Sequence, residues 1–375
     1  MEKQIDNRLR GEAGLTQSEV TAGHRVIRKV SEDPPKHGEN VRLAIDLDLQ
    51  RFAYNRLSKE RSGSVVVMDL KDGGIRTMCS YPAYDPNMFV DGISHKNWNA
   101  LREDRYDVLM NKSVSGQYAP GSTFKLIVDM AGLEAGVMNL YETVFCGGGV
   151  QLGRHLFKCW KAGGHGTVNL ESALAGSCNV YHYRMAERIG VEKIAAMAHK
   201  LGLGQKTDLN FIAERPGLVP SEVWKRDKYD RPWLKGETYN TGIGQGYVLA
   251  TPMQLATMAA RIATGKRVSP TLYSDPGADF PNLDLKPENL RRVQEAMARV
   301  VTGGTAGRSR LPFDQFQMAG KTGTSQVARG TAKDRAARLV DEFKRWKQQN
   351  HAIFVGFAPT SAPKYAIAVV IEHGG

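Results

Sequence analysis

The stretch Ala119-Pro120-Gly121-Ser122-Thr123-Phe124-Lys125-Leu126-Ile127 governs how the rest of the chain is read. Pro120 and Gly121 mark a turn, and from Ser122 an apolar pattern compatible with helix runs to Gly136. A serine in the first turn of a helix lies among backbone N–H groups that lack intrahelical partners, at the positive end of the dipole. Anionic character is favoured there. Lys125 follows three residues later and shares that helix face, within reach of the Ser122 hydroxyl. A lysine buried among polar groups loses proton affinity and can act as a general base. The pair suits the formation of an acyl-enzyme, while the same serine would also serve as an ordinary helix cap. A second S-x-x-K occurs at Ser361-Ala362-Pro363-Lys364, where Pro363 excludes a helix interior and the surroundings read as a turn between strands. That copy is taken as chance.

At 375 residues, 41% hydrophobic and 24% charged, the chain has room for one large soluble domain and a smaller piece. The net charge of +12 permits attraction to an anionic partner. The basic residues are scattered and accompany no nucleic-acid motif, so no nucleic-acid partner is expected. No apolar run approaches the ~18–20 residues of a spanning helix, and Met1-Glu2-Lys3-Gln4 does not open a signal peptide.

Residues 1–40 are polar, with a linker-like Glu32-Asp33-Pro34-Pro35-Lys36-His37-Gly38 and no sustained period. Val41 to Ile45 suits a strand, and Asp46 or Asp48 caps a helix reaching about Glu60. Ser64 to Asp69 and Ile75 to Cys79 flank Lys71-Asp72-Gly73-Gly74, a hairpin signal. Cys146 to Gly166 is Gly-rich and reads as too irregular for regular structure; no phosphate-loop signature follows its glycines. Helices are predicted over Asn169 to Ala175 and Val180 to Ile189, from the capping box Thr251-Pro252-Met253-Gln254 to about Ala263, and over Glu288 to Val301. Gln317 to Val327 reads as a strand interrupted by Gly320 and Gly323. Residues 331–349 form a charged helical pattern, and Ala352 to Phe357 with Tyr365 to Ile371 form a closing hairpin. The fold class expected is α+β.

Two further motifs follow the serine. Ser177-Cys178-Asn179, in the break between two helices, offers a hydroxyl and a carboxamide that can point the same way, or a helix cap. Lys321-Thr322-Gly323-Thr324 sits in a strand, where a lysine and hydroxyls can line one edge while Gly323 allows a ligand close approach; a bulge is the other reading. S-x-x-K, S-x-N and K-T-G-T in this order are far more specific than any one alone.

Together they resemble the transpeptidase domain of the penicillin-binding proteins. The likeness extends to Val41 through Gln50, to Tyr118-Ala119-Pro120-Gly121, and to Gly236 through Tyr247 with Thr251 through Ala256. Those last segments, with Cys159-Trp160-Lys161 and Gly164-His165-Gly166, resemble the elongation-type branch, penicillin-binding protein 2. The resemblance covers residues 41–375 and implies a penicillin-binding protein and serine β-lactamase-like fold: an antiparallel sheet flanked by helices, plus an all-helical subdomain. Residues 1–40 then correspond to a remnant of the N-terminal pedestal and its linker. Relatives begin with a membrane anchor on the periplasmic face of the inner membrane, and continue past Glu372-His373-Gly374-Gly375 into a C-terminal helix. On this reading the chain lacks both.

The resemblance implies acyl transfer from stem peptides ending in D-Ala-D-Ala. Ser122 would be the nucleophile and Lys125 its base, with Ser177 relaying a proton and Asn179 orienting groups. Lys321 would keep the pocket positive, Thr322 and Thr324 would hold the terminal carboxylate, and Gly323 would let the substrate approach. β-Lactams would acylate Ser122, and the membrane glycosyltransferase of the elongation machinery would be a partner. A β-lactamase, which must hydrolyse its acyl-enzyme quickly, and a sensor that binds without turnover are the competing functions.

Cys146-x12-Cys159-x5-His165-x12-Cys178 offers a Cys3His ligand set suited to four-coordinate structural zinc. A Cys146–Cys159 disulfide fits a family working outside the cytoplasm, and three buried thiols are the remaining reading. Cys178 lies inside the S-x-N motif, so a tether there would stiffen Ser177 and Asn179. Cys79, alone in a predicted strand, reads as a small core residue.

Overall fold

The computed structural model of the chain describes residues 5–139, 141–207, 209, 211, 213–273, 278–327 and 346–375. Most of the charged pattern expected over 331–349 therefore lies outside the described residues. The chain forms two compact units, one built chiefly on Met1–Leu43 and the other on Ala44–Leu209 with Ala213–Gly375.

In the first unit, Leu15–Val20 and Val26–Asp33 pair as an antiparallel ladder. The sequence reading found no regular structure there. Every residue of both strands is exposed, so no face is buried and no hydrophobic alternation is written into the segment.

The second unit is built on five strands: β1 (Gly63–Asp69), β2 (Ile75–Tyr81), β3 (Ala319–Ser325), β4 (His351–Ala358) and β5 (Tyr365–Ile371). Their order is β2-β1-β5-β4-β3, antiparallel throughout, which leaves β3 at an edge. β3 runs unbroken through Gly320 and Gly323 and has no bulge against β4, correcting the interruption expected from the sequence. Val41 to Ile45 forms no strand.

Five helices matter for the site and the core: α1 (Leu47–Leu57), α2 (Lys125–Glu134), α3 (Asn179–Ile189), α4 (Pro252–Thr264) and α5 (Pro287–Gly303). The Asp46 side chain caps α1 by accepting from the Leu49 N–H. Ala53 and Leu57 of α1 bury Cys79, with Val65, Tyr81 and Ile371 packed alongside, so Cys79 is the core residue expected. Alternation along β1 turns Val66 and Met68, both fully buried, to the opposite face. There α4 runs against β1, β4 and β5, buried on every side from Pro252 to Ala263. Its start is the capping box read from the sequence, with Thr251 and Gln254 bonding reciprocally and Pro252 at the first helical position.

The helical part holds α2, α3, α5 and shorter helices such as Leu170–Ala175 and Val191–Lys200. It is not wholly helical. Val144–Cys146 pairs with Gly166–Val168, and Gly149–Leu152 pairs with His155–Lys158, within the segment taken from sequence as irregular. Strands of three or four residues carry too few alternating positions to register as strands.

Candidate active site

Ser122 stands in a 3-10 turn, Gly121–Phe124, that leads directly into α2; the first α-helical residue is Lys125. In 3-10 geometry residues i and i+3 eclipse, so Ser122 and Lys125 fall on one line. The turn is fixed by main chain. Gly121 has φ +55°, donates its N–H to the Gly244 carbonyl at 2.9 Å, and has no room for a Cβ, which would collide with the Thr324 carbonyl oxygen. Gly323 is equally constrained: a Cβ there would lie 2.7 Å from the Pro120 carbonyl oxygen and 2.9 Å from Thr123 Cγ2. The glycine of K-T-G-T thus lets the Ser122 turn lie flush on β3, where the sequence reading had assigned it to ligand approach.

Lys125 is completely buried and its ammonium donates to three acceptors: the Ser177 carbonyl at 2.8 Å, Ser177 Oγ at 3.2 Å and Asn179 Oδ1 at 2.8 Å. The hydroxyl and carboxamide of S-x-N therefore do point the same way, onto one nitrogen. Burial pushes the Lys125 amine down to about 8, against the opposing pull of Cys178, Cys159 and Asp129. Among the described residues no hydrogen bond joins Ser122 Oγ to Lys125, a looseness usual in ligand-free sites. Ser177 holds φ +55°, a left-handed conformation that costs a non-glycine residue of order 1–3 kcal/mol. Asn179 is the first residue of α3, and Cys178 its N-cap.

Lys321 is also fully buried, with its ammonium on the Thr322 carbonyl at 3.1 Å. Burial holds its amine well below the usual lysine range, and the charge of Lys125 adds to this. Thr322 Oγ1 lies 2.6 Å from Thr305 Oγ1, and Thr324 is exposed with its carbonyl held by Gln245 Nε2 at 3.0 Å. As an edge strand, β3 has backbone groups on its outer side that no strand of the sheet pairs. The second S-x-x-K, at Ser361 and Lys364, is an exposed turn between β4 and β5, as expected.

Cys146, Cys159, His165 and Cys178 converge, with one ligand atom from each lying within 4.8 Å of the others. All the cysteines are free, so the Cys146–Cys159 disulfide is not formed. His165 Nδ1 lies 3.7 Å from Cys146 Sγ and 3.5 Å from Cys159 Sγ, while Nε2 donates to the Gly176 carbonyl at 3.1 Å. Tetrahedral zinc with ordinary bond lengths puts nitrogen and sulfur ligands about 3.6 Å apart. The donor set and its spacing fit zinc, and the Nε2–H bond fixes the tautomer that leaves Nδ1 free to ligate. The Cys159 thiol is pushed down, first by the Cys178 thiol beside it, then by the N–H groups of Asn179, Lys161 and Val180 against the effect of burial.

The sequence reading gave no role to several neighbours, although Trp160 and Gln245 fall within segments that carry the resemblance. The Trp160 indole N–H reaches the Gly176 and Ser177 carbonyls, both at 3.1 Å, and Thr305 and Gln245 brace the K-T-G-T strand. Asp129, one turn after Lys125, was absorbed into the apolar run of α2. No short-range spacing marks any of these.

The antiparallel sheet, the helical part, the S-x-N motif bonded to the buried lysine of S-x-x-K and the K-T-G-T strand packed on the Ser122 turn define the penicillin-binding protein and serine β-lactamase class of fold. Within it, the chain belongs to the penicillin-binding protein transpeptidase family: residues 63–375 match the penicillin binding protein transpeptidase domain, and residues 1–43 match the penicillin-binding protein dimerisation domain. The chain is 35% identical over 392 residues to the peptidoglycan D,D-transpeptidase MrdA of Acinetobacter baumannii, covering all of this chain and 57% of that protein. To MrdA of Escherichia coli K12 it is 31% identical, covering 61% of that protein, so it spans roughly three fifths of these relatives' length. Among solved structures, Pseudomonas aeruginosa PBP2 in complex with WCK 5153 superposes with TM-score 0.80 at 37% identity, over 91% of this chain and 73% of that one. The PBP2 of Helicobacter pylori in complex with MreC gives TM-score 0.89 at 31% identity, over 100% and 68%.

Proposed function

We propose that the chain is the catalytic part of an elongation-type penicillin-binding protein 2, cross-linking peptidoglycan stem peptides by D,D-transpeptidation. The observation that carries this reading is the meeting of Ser177 and Asn179 on the Lys125 amine, at 2.8 to 3.2 Å, beside the Ser122 turn. Ser122 Oγ attacks the carbonyl of the penultimate D-Ala while neutral Lys125 takes its proton. The backbone N–H groups of Ser122 and Thr324 receive the negative charge on the carbonyl oxygen. Ser177 passes a proton to the departing terminal D-Ala amine as the C–N bond breaks, and Asn179 orients Lys125 and the substrate amide. An acceptor amine from a second stem peptide then attacks the ester and releases Ser122. Lys321 keeps the pocket positive, Thr322 and Thr324 bind the terminal carboxylate, and Gly323 admits the turn that carries the nucleophile.

β-Lactams mimic the donor terminus. A fluorescent penicillin is expected to label the wild-type chain and leave Ser122→Ala dark; equal labelling of both would overturn the assignment. Slow loss of the label separates this reading from a β-lactamase, and formation of cross-linked peptide product separates it from a sensor.

Cys146, Cys159, His165 and Cys178 would hold structural zinc, which neutralises thiolates and ties Cys178 to the neighbouring excursion of chain. Protein purified without added zinc is expected to contain one equivalent of metal by native mass spectrometry. Four titratable thiols in the unfolded protein, Cys79 included, with no metal bound to the folded one would remove that part of the proposal. In the cell the chain would act on the periplasmic face of the inner membrane with the glycosyltransferase that makes the glycan strand. No helix among the described residues is long and apolar enough to cross a membrane.

A further inference from the structure

Asp129 and His182 face each other in the interior, both fully buried, with Asp129 Oδ1 3.3 Å from His182 Nε2. Asp129 lies one turn beyond Lys125 on α2, and His182 lies one turn beyond Cys178 on α3. The other ring nitrogen of His182, Nδ1, is 2.7 Å from the Cys178 carbonyl oxygen. A carbonyl only accepts, so Nδ1 carries a hydrogen and donates it. Neither Asp129 oxygen nor His182 Nε2 has a well-aligned hydrogen bond to any group, each other included, so the 3.3 Å approach is a close polar contact of two otherwise unpartnered buried groups. Replacing such a buried pair by apolar residues is often neutral or stabilising, so the pair is a poor way to gain stability. It is well placed for something else. The peptide it grips follows Ser177, whose left-handed φ of +55° must be held against strain.

We propose that Asp129 and His182 are positioning residues for acyl transfer, tying α2 to the Cys178 carbonyl so that Ser177 and Asn179 stay on Lys125. The links close a ring between two helices. Lys125 bonds to Ser177 and Asn179 at one end; at the other, Asp129 lies against His182, whose Nδ1 bonds the Cys178 carbonyl. This rests on the acyl-transfer reading above.

Three variants test it, with acylation by fluorescent penicillin followed over time at several concentrations so that binding and the acylation rate separate. Melting temperature and zinc content are read in parallel. Asp129→Leu/His182→Phe is expected to melt at or above the wild type, keep its metal and bind comparably, yet acylate at least about tenfold more slowly, the scale of a small misplacement. His182→Asn keeps a donor where Nδ1–H stood and is expected to acylate faster than His182→Gln, whose amide sits where Nε2 was. A stable double variant acylating as fast as wild type overturns the proposal. If the double variant does not fold, equal rates for the Asn and Gln variants do so. A wild type that fails to label at all sinks the functional reading instead.

Discussion

The chain carries S-x-x-K twice, and the two copies share only their spelling. At Ser122 and Lys125 the motif spans a 3-10 turn and the start of a buried helix, and its lysine is stripped of water and surrounded by Ser177 and Asn179. At Ser361 and Lys364 it lies in an exposed turn, where the lysine amine stays in solvent. The difference teaches that reactivity here comes from burial and neighbours. Stripped of water, the Lys125 amine is held at about 8, where it can give up its proton near neutrality.

Three measurements press on that contrast. The largest effect should come from Lys125→Met, which removes the base and should slow penicillin acylation by about 10²–10⁴-fold, the usual range for general base catalysis. Lys364→Met should leave the rate unchanged, and a comparable loss in both variants would erase the distinction between the copies. Next is Gly323→Ala, whose Cβ must push on the Pro120 carbonyl at 2.7 Å. Overpacking of about 1–3 kcal/mol, expressed at the nucleophile turn, corresponds to roughly 5- to 150-fold slower acylation. A Gly323→Ala variant with wild-type kinetics would show that the close contact between turn and strand is dispensable. The smallest effect is the pH profile. Lys125 must be neutral to accept a proton, and its amine is held at about 8, so acylation should rise about tenfold per pH unit below 8 and level off above it. Stopped-flow labelling from pH 6 to 9 reads this directly, and a flat profile would exclude Lys125 as the titrating base.

Much of the fold was legible because burial writes a period into the chain. The hairpin of β1 and β2, the capped helix α4 and the closing strands β4 and β5 each bury one side or all sides, and they were read from apolar runs together with a Gly-Gly turn and a capping box. The ladder over 15–33 buries nothing, and the ladders around Cys146 to Val168 are too short, so neither leaves a periodic trace. The site was legible for a different cause: three short motifs hold their order even though their members are remote in sequence. Asp129 and His182 belong to no motif. Each sits in a helical run where its neighbours are apolar, and only the crossing of α2 and α3 brings them together.

The contact of Gly121 and Gly323 with facing main chain has a consequence for which positions of the site can change. Side chains hop between rotamers in picoseconds to nanoseconds when exposed, whereas carbonyl groups packed on glycine have no rotamers to sample. The serine is therefore indexed to the sheet through a joint that holds no replaceable part except glycine. Trp160, Gln245 and Thr305 instead hold Ser177, Thr324 and Thr322 through side chains, each a contact that a substitution can change one hydrogen bond at a time.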